Sequence, residues 1–344
     1  MRILSIAEYA ELNNQPLRFE QQPGWLSLLH KHCLSNTEAR IYTQQGAESQ
    51  SALPVYRSKQ RILGLNLCRL EGLTGLYSSH YLPPVTDVAA LKELLHDILA
   101  TENWDVLRFS AVDEGGDLHR ALTSLAGQEG WTLTCRPDFE HWYLRLDSAD
   151  CDGYFAQLPG ALRSTLKRKG AKVSSQFQVL FDCCDQPEQL AVALDAYQQV
   201  YANSWKNPEL YPDFIPELCH WAARQGWLRL GVMYLDRTPV AAQIWLVLNG
   251  EASIFKLAYD DAYQQWSVGS LLTAFMVRRA LNEDNVTSID YGKGGESYKK
   301  DWMSGCLQRV QLECYNSATL AGRVMALRHA YLPRLRDRLL DRTT

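Results

Sequence analysis

The sequence predicts an α/β (α+β) protein of two tandem units, residues 1–148 and 149–344, each a mixed, largely antiparallel sheet flanked by helices. Three observations carry that reading. The chain has 344 residues, about twice the length of an ordinary domain. Runs with apolar residues at helical spacing alternate with short strand-like runs in both halves. Asn249-Gly250 stands between two apolar runs, the strongest short signal for a hairpin.

In the first half, a helix is expected around Trp25 to Cys33, followed by strands in "ARIYTQ", "SALPVYR" and "ILGLNLCRL". Val88, Leu91, Leu94, Leu95 and Ile98 share one face of a helix from Asp87 to Leu99. The strand "WDVLRFS", the helix "DLHRALTSLAGQEG" and the strands "WTLTC" and "HWYLRLD" complete this half. The polar segment "DSADCDG" (147–153) reads as the join.

The second half opens on a basic helix within 154–172, where Pro159 can mark the true start. "FQVLF" reads as a strand, Pro187 opens a helix to about Tyr201, and a further helix over 213–225 stops at Gly226. Three strands then follow in close succession, "WLRLGVMYL", "VAAQIWLVL" and "EASIFKLAY". After the loop "DDAYQQWSVGS" come the helix "LLTAFMVRRAL", the strand "VTSIDY" and the strand "CLQRVQLECYN". The resulting order is β-α-α-β-β-β-α-β-β, and the first half is similar in kind.

Composition excludes several classes. With a net charge of −4 and a pI near 6.1, the chain lacks the basic character of a protein built mainly to bind nucleic acid. Its longest apolar run, residues 240–248, is too short to span a bilayer, and the N-terminus turns polar at Glu8. Nine cysteines without a C-x-x-C pair fit packed thiols in a reducing compartment, so a cytoplasmic protein is expected. His30 and His32 lack a third partner at ligand spacing, and His80 reads as a loop or core residue, so no metal is expected.

Two passages suggest chemistry. "S-V-G-S" (267–270) runs directly into an amphipathic helix, which presents unpaired N–H groups and the positive end of a helix dipole, suited to a phosphate. Gly269 would let that backbone approach closely, and Ser267 or Ser270 could cap the helix or bond a phosphate oxygen. On spacing alone, a Ser-capped helix with no ligand fits as well. Arg163 and Lys167 lie four residues apart on the basic helix, with Arg168, Lys169 and Lys172 nearby. Such a face suits the phosphate of a nucleotide sugar, a polyprenyl carrier or the end of a transfer RNA, or is simply solvated. The C-terminal arginine- and leucine-rich run reads as a packed helix or as a peripheral membrane contact.

The sequence resembles the bacterial tandem-GNAT acyltransferases of the CelD-like group, associated with cellulose and exopolysaccharide synthesis and similar to the Fem-type aminoacyltransferases. The resemblance rests on "SWKNPELYPDFI" (204–215), "KLAYDDAYQQWSVGSLL" (256–272), "DYGKGGESYKKDW" (290–302) and "GALRSTLKRKGAK" (160–172).

That resemblance implies two GNAT-like domains, with an acyl-coenzyme A donor whose pyrophosphate lies at Ser267, Gly269 and Ser270 beside Tyr259. It places Asp290, Glu296, Tyr298 and Lys299 at the mouth of the cleft. Lys299 would stabilise the oxyanion or bind donor phosphate, Tyr298 would protonate the leaving thiolate, and Asp290 or Glu296 would take the acceptor's proton. Trp205 and Lys206 would line the acceptor side, although a buried Trp with a Lys stem lying along the surface fits the same residues. An amine- or hydroxyl-bearing acceptor is implied, with polysaccharide-assembly contacts and no DNA; aminoacyl-tRNA enters only under the Fem-like alternative. Val268 replaces the family's proline, and Gly295 replaces its first acidic residue, leaving Glu296 as the nearest carboxylate.

Overall fold

The structure is a computed structural model that describes residues 1–12, 18–44, 51–62, 64–85, 87–148 and 150–333. Two compact units emerge. Unit 1 is Met1–Phe139 with the segment from Gln308 onward, and unit 2 is Glu140–Leu307.

Unit 1 holds β1 (Arg2–Leu4), α1 (Ile6–Leu12), α2 (Pro23–Cys33), β2 (Glu38–Thr43), β3 (Ala52–Ile62) and β4 (Leu65–Gly72). It continues with α3 (Val88–Thr101), β5 (Val106–Asp113), α4 (Asp117–Glu129) and the first part of β6 (Thr132–Arg145). "WTLTC" and "HWYLRLD" are thus one strand. Pro137 lies between them, and its fixed φ suits an extended chain. The face expected for α3 is the one that is buried, and Asp87 caps the helix by accepting the Ala90 N–H at 2.8 Å.

Unit 2 holds α5 (Cys151–Gln157), α6 (Gly160–Gln176), β7 (Val179–Cys184), α7 (Leu190–Ala202), α8 (Phe214–Arg224) and β8 (Leu228–Leu235). β9 (Thr238–Leu248), β10 (Glu251–Tyr259), α9 (Val268–Asn282) and β11 (Ser288–Lys293) follow. Pro159 divides α5 from α6, and Asn249 and Gly250 both take positive φ in the hairpin turn. The strand order is β6-β11-β10-β9-β8-β7.

β12 (Gly305–Tyr315) and α10 (Leu320–Ala326) close the described chain. The linear division at residue 148 differs from these units in two respects: the first boundary falls within β6, between Phe139 and Glu140, and the last strand returns to unit 1. Arg309–Tyr315 pairs antiparallel with Val106–Asp113 of β5, so the last strand belongs with unit 1. A partner so distant in sequence leaves no trace in local periodicity. The C-terminal segment packs as a helix up to the end of the described residues: Ala321, Met325, Ala326 and Ala330 are buried against Leu67, Val106 and Tyr315. The arginine-rich stretch after residue 333 lies outside the described residues.

Each unit contains one parallel strand pair joined through a helix. In unit 1 it is β4–β5 around α3, registered at Arg69–Glu71 and Val106–Arg108. In unit 2 it is β10–β11 around α9, registered at Glu251–Ser288, Ala252–Ile289 and Ser253–Asp290. Past Ser253, β10 bulges at Ile254–Lys256 against β9, and β11 breaks register with β6 between Asp290 and Lys293. Among the described residues no further ladder pair joins these two strands, so a gap opens in unit 2 where they part.

The core of unit 2 lies between its sheet and α9, with Val268, Leu272, Met276, Val277 and Trp245 buried. Gly231 on β8 is required there, because a Cβ would fall 2.3 Å from Met276 Sδ. Gly231→Val is expected to lower stability by about 1–3 kcal/mol through overpacking, measured by denaturant unfolding. All nine cysteines are free thiols, with Cys184 buried and Cys183 partly so. Among the described residues, no helix is long and apolar enough to cross a membrane.

Candidate active site

The four residues assigned by sequence to donor binding come together. Asp260 accepts the Ala262 N–H at 2.9 Å and starts a tight 3-10 turn over Asp261–Trp266. Ser267, at φ 56° and ψ 36°, then swings the chain into α9. Its carbonyl accepts the first helical bond from Leu271 N–H at 3.0 Å, while its hydroxyl makes no capping bond. The N–H groups of Val268, Gly269 and Ser270 consequently have no carbonyl one turn earlier in the helix. The same residues line a cavity of about 200 Å³, together with Tyr259, Gln264 and Ser267.

Buried Gln243 fixes this helix end to β9. Its amide donates to Thr273 Oγ1 at 2.7 Å, and its carbonyl accepts Trp245 Nε1–H at 2.8 Å. Thr273 Oγ1 in turn donates to the Gly269 carbonyl at 3.0 Å. The polar residue that interrupts the apolar run of β9 is therefore the anchor of the first turn of α9. Gly269 fits closely, since a Cβ there would lie 3.0 Å from Tyr259 Cδ1.

The basic helix α6 reaches the same end of α9, with different residues from those singled out by spacing. Arg163 and Lys167 are exposed on its earlier turns. Lys169 Nζ donates to the Gln265 carbonyl, and Lys172 Nζ stands 4.8 Å from the Trp266 ring centroid. Two ammonium groups thus stand against the 3-10 turn whose end lines the cavity, adding to the positive potential of the helix terminus.

The second group of residues lies around the gap between β10 and β11. Asp290 is 3% exposed; its Oδ1 accepts the Gly292 N–H at 2.6 Å and sits 3.1 Å from His141 Nε2. It shapes the turn at Gly292, whose φ is 65°. Sequence reading did not single out His141, because only the β6–β11 pairing brings it to Asp290.

Lys299 is also 3% exposed, and its ammonium is committed to its own loop. It donates to the Lys293 carbonyl at 2.7 Å and the Gly294 carbonyl at 3.3 Å, and it pairs with Glu296 Oε2 at 2.9 Å. Three partners match the three N–H bonds of an ammonium. Burial raises the Glu296 carboxyl, but the Lys299 hydrogen bond and the Lys299 and Lys206 charges outweigh that and hold it below its usual range. Burial, then the Glu296 charge, pushes the Tyr298 phenol up, so Tyr298 stays protonated at neutral pH. Its ring packs edge-on against Tyr291 at 5.9 Å. Gly295 leaves space for another carboxylate: a Cβ there would meet Glu140 Oε2 at 3.1 Å.

The loop after α7 completes the site. Asn203 Nδ2 donates to Asp260 Oδ2 at 3.2 Å, and Glu209 pairs with Lys256 of β10 at 2.5 Å. Trp205, 49% exposed, thereby stacks at a tilt on Tyr259 with centroids 4.4 Å apart. Burial, reinforced by the Lys256 charge and opposed by Glu209 and Glu296, pulls the Lys206 ammonium down to about 8. At pH 8 about half of Lys206 is then the free amine, against under one in a hundred for an ordinary lysine. Competitive acetylation with acetic anhydride, read by peptide mass spectrometry, is expected to give a Lys206 labelling midpoint near pH 8. A midpoint above 10 would contradict the burial of this amine.

In unit 1, His80 is a buried residue held by Glu20, which accepts its backbone N–H at 3.0 Å and lies 3.4 Å from its Nδ1.

Comparison with known proteins agrees with this fold. Residues 160–300 match the family described as Acetyltransferase (GNAT) domain. A search of curated proteins finds no match. Among solved structures, FemX superimposes with a TM-score of 0.65 at 11% identity, over 95% of this chain and 99% of its own. The C-terminal DUF2156 domain of a protein named as a lysylphosphatidylglycerol synthetase from Agrobacterium fabrum gives 0.55 at 16%, over 94% and 98%. The structure of L-PGS from Bacillus licheniformis gives 0.50 at 13%, over 91% and 97%. At such identities the likeness is one of fold. Residues 160–300 are thus similar to a GNAT-type acetyltransferase domain, on a fold shared along most of the chain's length with FemX.

Proposed function

We propose that the chain is an acyl-coenzyme A-dependent transferase, acting on an amine or hydroxyl of a small or carbohydrate-like acceptor. The observation that carries this is the cavity at the start of α9, lined by Tyr259, Ser267, Gly269 and Ser270 where the first turn of the helix begins. A pyrophosphate there would accept those N–H groups, with Lys169 and Lys172 supplying countercharge.

Transfer needs the acceptor's N–H or O–H to attack the thioester carbonyl, the C–S bond to break, and a proton to reach the departing sulfur. Glu296, ionised and half-exposed, is the carboxylate placed to take the acceptor's proton, and the free-amine fraction of Lys206 is a second base near it. Tyr298 retains a proton to give to the thiolate. Asp290 and Lys299 act through position, the one holding the Gly292 turn and the other the 293–296 loop. Trp205 offers an aromatic face to the acceptor or the pantetheine arm. The exopolysaccharide setting follows from the family resemblance, and free thiols throughout fit the cytoplasm.

A second reading, aminoacyl transfer from aminoacyl-tRNA, is favoured by the fold likeness to FemX. The two separate in one pair of assays. Acceptor-dependent release of coenzyme A thiol from acetyl-coenzyme A, across a panel of amines and sugars, supports the first. Retention of charged tRNA on a filter without thiol release supports the second and overturns the first. Absence of both would leave a catalytically silent binding protein of polysaccharide assembly, the reading suggested by Gly295 and Val268.

A further inference from the structure

Unit 2 contains a second and larger cavity, of about 420 Å³, formed by α7, the loop after it and the first turn of α8. This volume lies in the range of small-molecule sites, about 300–1,000 Å³. Its walls are apolar: Leu194, Tyr197 and Tyr201 from α7, Pro208 and Pro212 from the loop, and Ile215 from α8. Prolines fix φ, so the loop wall is stiff and little ordering is left for a ligand to impose.

The charges at its edge are uneven. Glu209 lines the cavity but is already neutralised by Lys256 at 2.5 Å. Glu296, outside the cavity wall but close enough for its charge to act on Lys206, is paired with Lys299 in the same way. Lys206 also lines the cavity, and among the described residues it has no ion-pair partner; its Nζ stands 5.7 Å from the Trp205 ring centroid. An apolar chamber thus carries at its edge an ammonium that makes no ion pair among the described residues.

We propose that this cavity binds an aliphatic anion, its hydrocarbon body against the α7 and α8 walls and its carboxylate or phosphate head on Lys206. The ammonium is already partly desolvated, so pairing costs it little further hydration, and the hydrocarbon chain leaves water for an apolar surface. The site stands on this geometry whether or not the chain transfers acyl groups, since binding requires neither donor nor turnover.

The test is calorimetric binding of four probes that share a ten-carbon chain, all below their micelle concentrations: decanoate, decyl phosphate, decanol and decyltrimethylammonium. Wild-type protein is expected to bind at least one of the two anions at one per chain. The cation and the alcohol should bind at least about tenfold more weakly, the scale of one charge-assisted hydrogen bond. A preference between the two anions names the head group. Lys206→Met should remove the preference for anion over cation while leaving residual chain binding. Ala202→Trp, which fills the cavity from an exposed position on α7, should remove binding of all four. Thermal unfolding of each variant checks folding, and if Ala202→Trp fails to fold, the Lys206→Met comparison decides. Equal affinity for anion and cation, unchanged anion binding in a folded Ala202→Trp protein, or no anion binding at millimolar concentration would overturn the proposal.

Discussion

Gly269→Asp is expected to weaken coenzyme A binding by about 100-fold or more while leaving the fold intact. Two effects add. The new carboxylate occupies the place where the N–H groups of Val268, Gly269 and Ser270 meet an anion, and it repels phosphate directly. Losing a single charge-assisted hydrogen bond costs about 1.5–3 kcal/mol, or about 10–150-fold, before repulsion is counted. The new Cβ also meets the Tyr259 ring at 3.0 Å, so the ring that lines the cavity must shift. Stability is spared, because an acidic residue in the first turn of a helix interacts favourably with its dipole. Gly269→Ala, with the steric effect alone, should lose far less. Equal coenzyme A affinity in wild type and Gly269→Asp, measured by calorimetry, would show that the phosphates bind elsewhere.

Lys299→Met is expected to reduce turnover by about 100-fold, the scale of a misplaced catalytic loop, and, unlike a purely chemical lesion, to lower stability by about 2–3 kcal/mol. The side chain is buried and satisfies the carbonyls of Lys293 and Gly294. Removing it strands both carbonyls and leaves Glu296 without its partner. Because Glu296 is 54% exposed, water can hydrate the lone carboxylate, which keeps the loss below that of a fully buried pair. The two readouts separate two roles. An oxyanion donor would lose turnover with little change in melting, whereas a lysine that holds the 293–296 loop in place moves both. Loss of activity at unchanged stability would return Lys299 to the chemistry.

These residues show what was legible before the structure. The S-V-G-S turn was readable because a helix terminus is a local event: Gly and Ser at fixed offsets before an amphipathic run set its geometry, whereas Tyr259 came from the family resemblance. Strands β8 to β10 were readable for the same reason, with Asn249-Gly250 fixing the hairpin. Long-range pairing was not. β12 joins unit 1 through β5, and His141 reaches Asp290 only through the β6–β11 ladder. The role of Lys299 was misleading in the same way, since the sequence places the lysine but not the carbonyls that consume its donors. Helical spacing picked out Arg163 and Lys167, yet which turns of α6 meet α9 depends on packing. Gly170 lies against Leu271 there, so the neighbouring Lys169 and Lys172 are the ones brought to the site.

The central claim is that the start of α9 holds the phosphates of a coenzyme A donor. Its most direct measurement is thermal unfolding of wild-type and Gly269→Asp protein with and without coenzyme A. A ligand at about 100 times its dissociation constant stabilises the folded state by about 2.7 kcal/mol, enough to raise the midpoint by several degrees. The account predicts such a rise for wild type and none for Gly269→Asp; no shift in wild type at millimolar coenzyme A, or the same shift in both proteins, would contradict it.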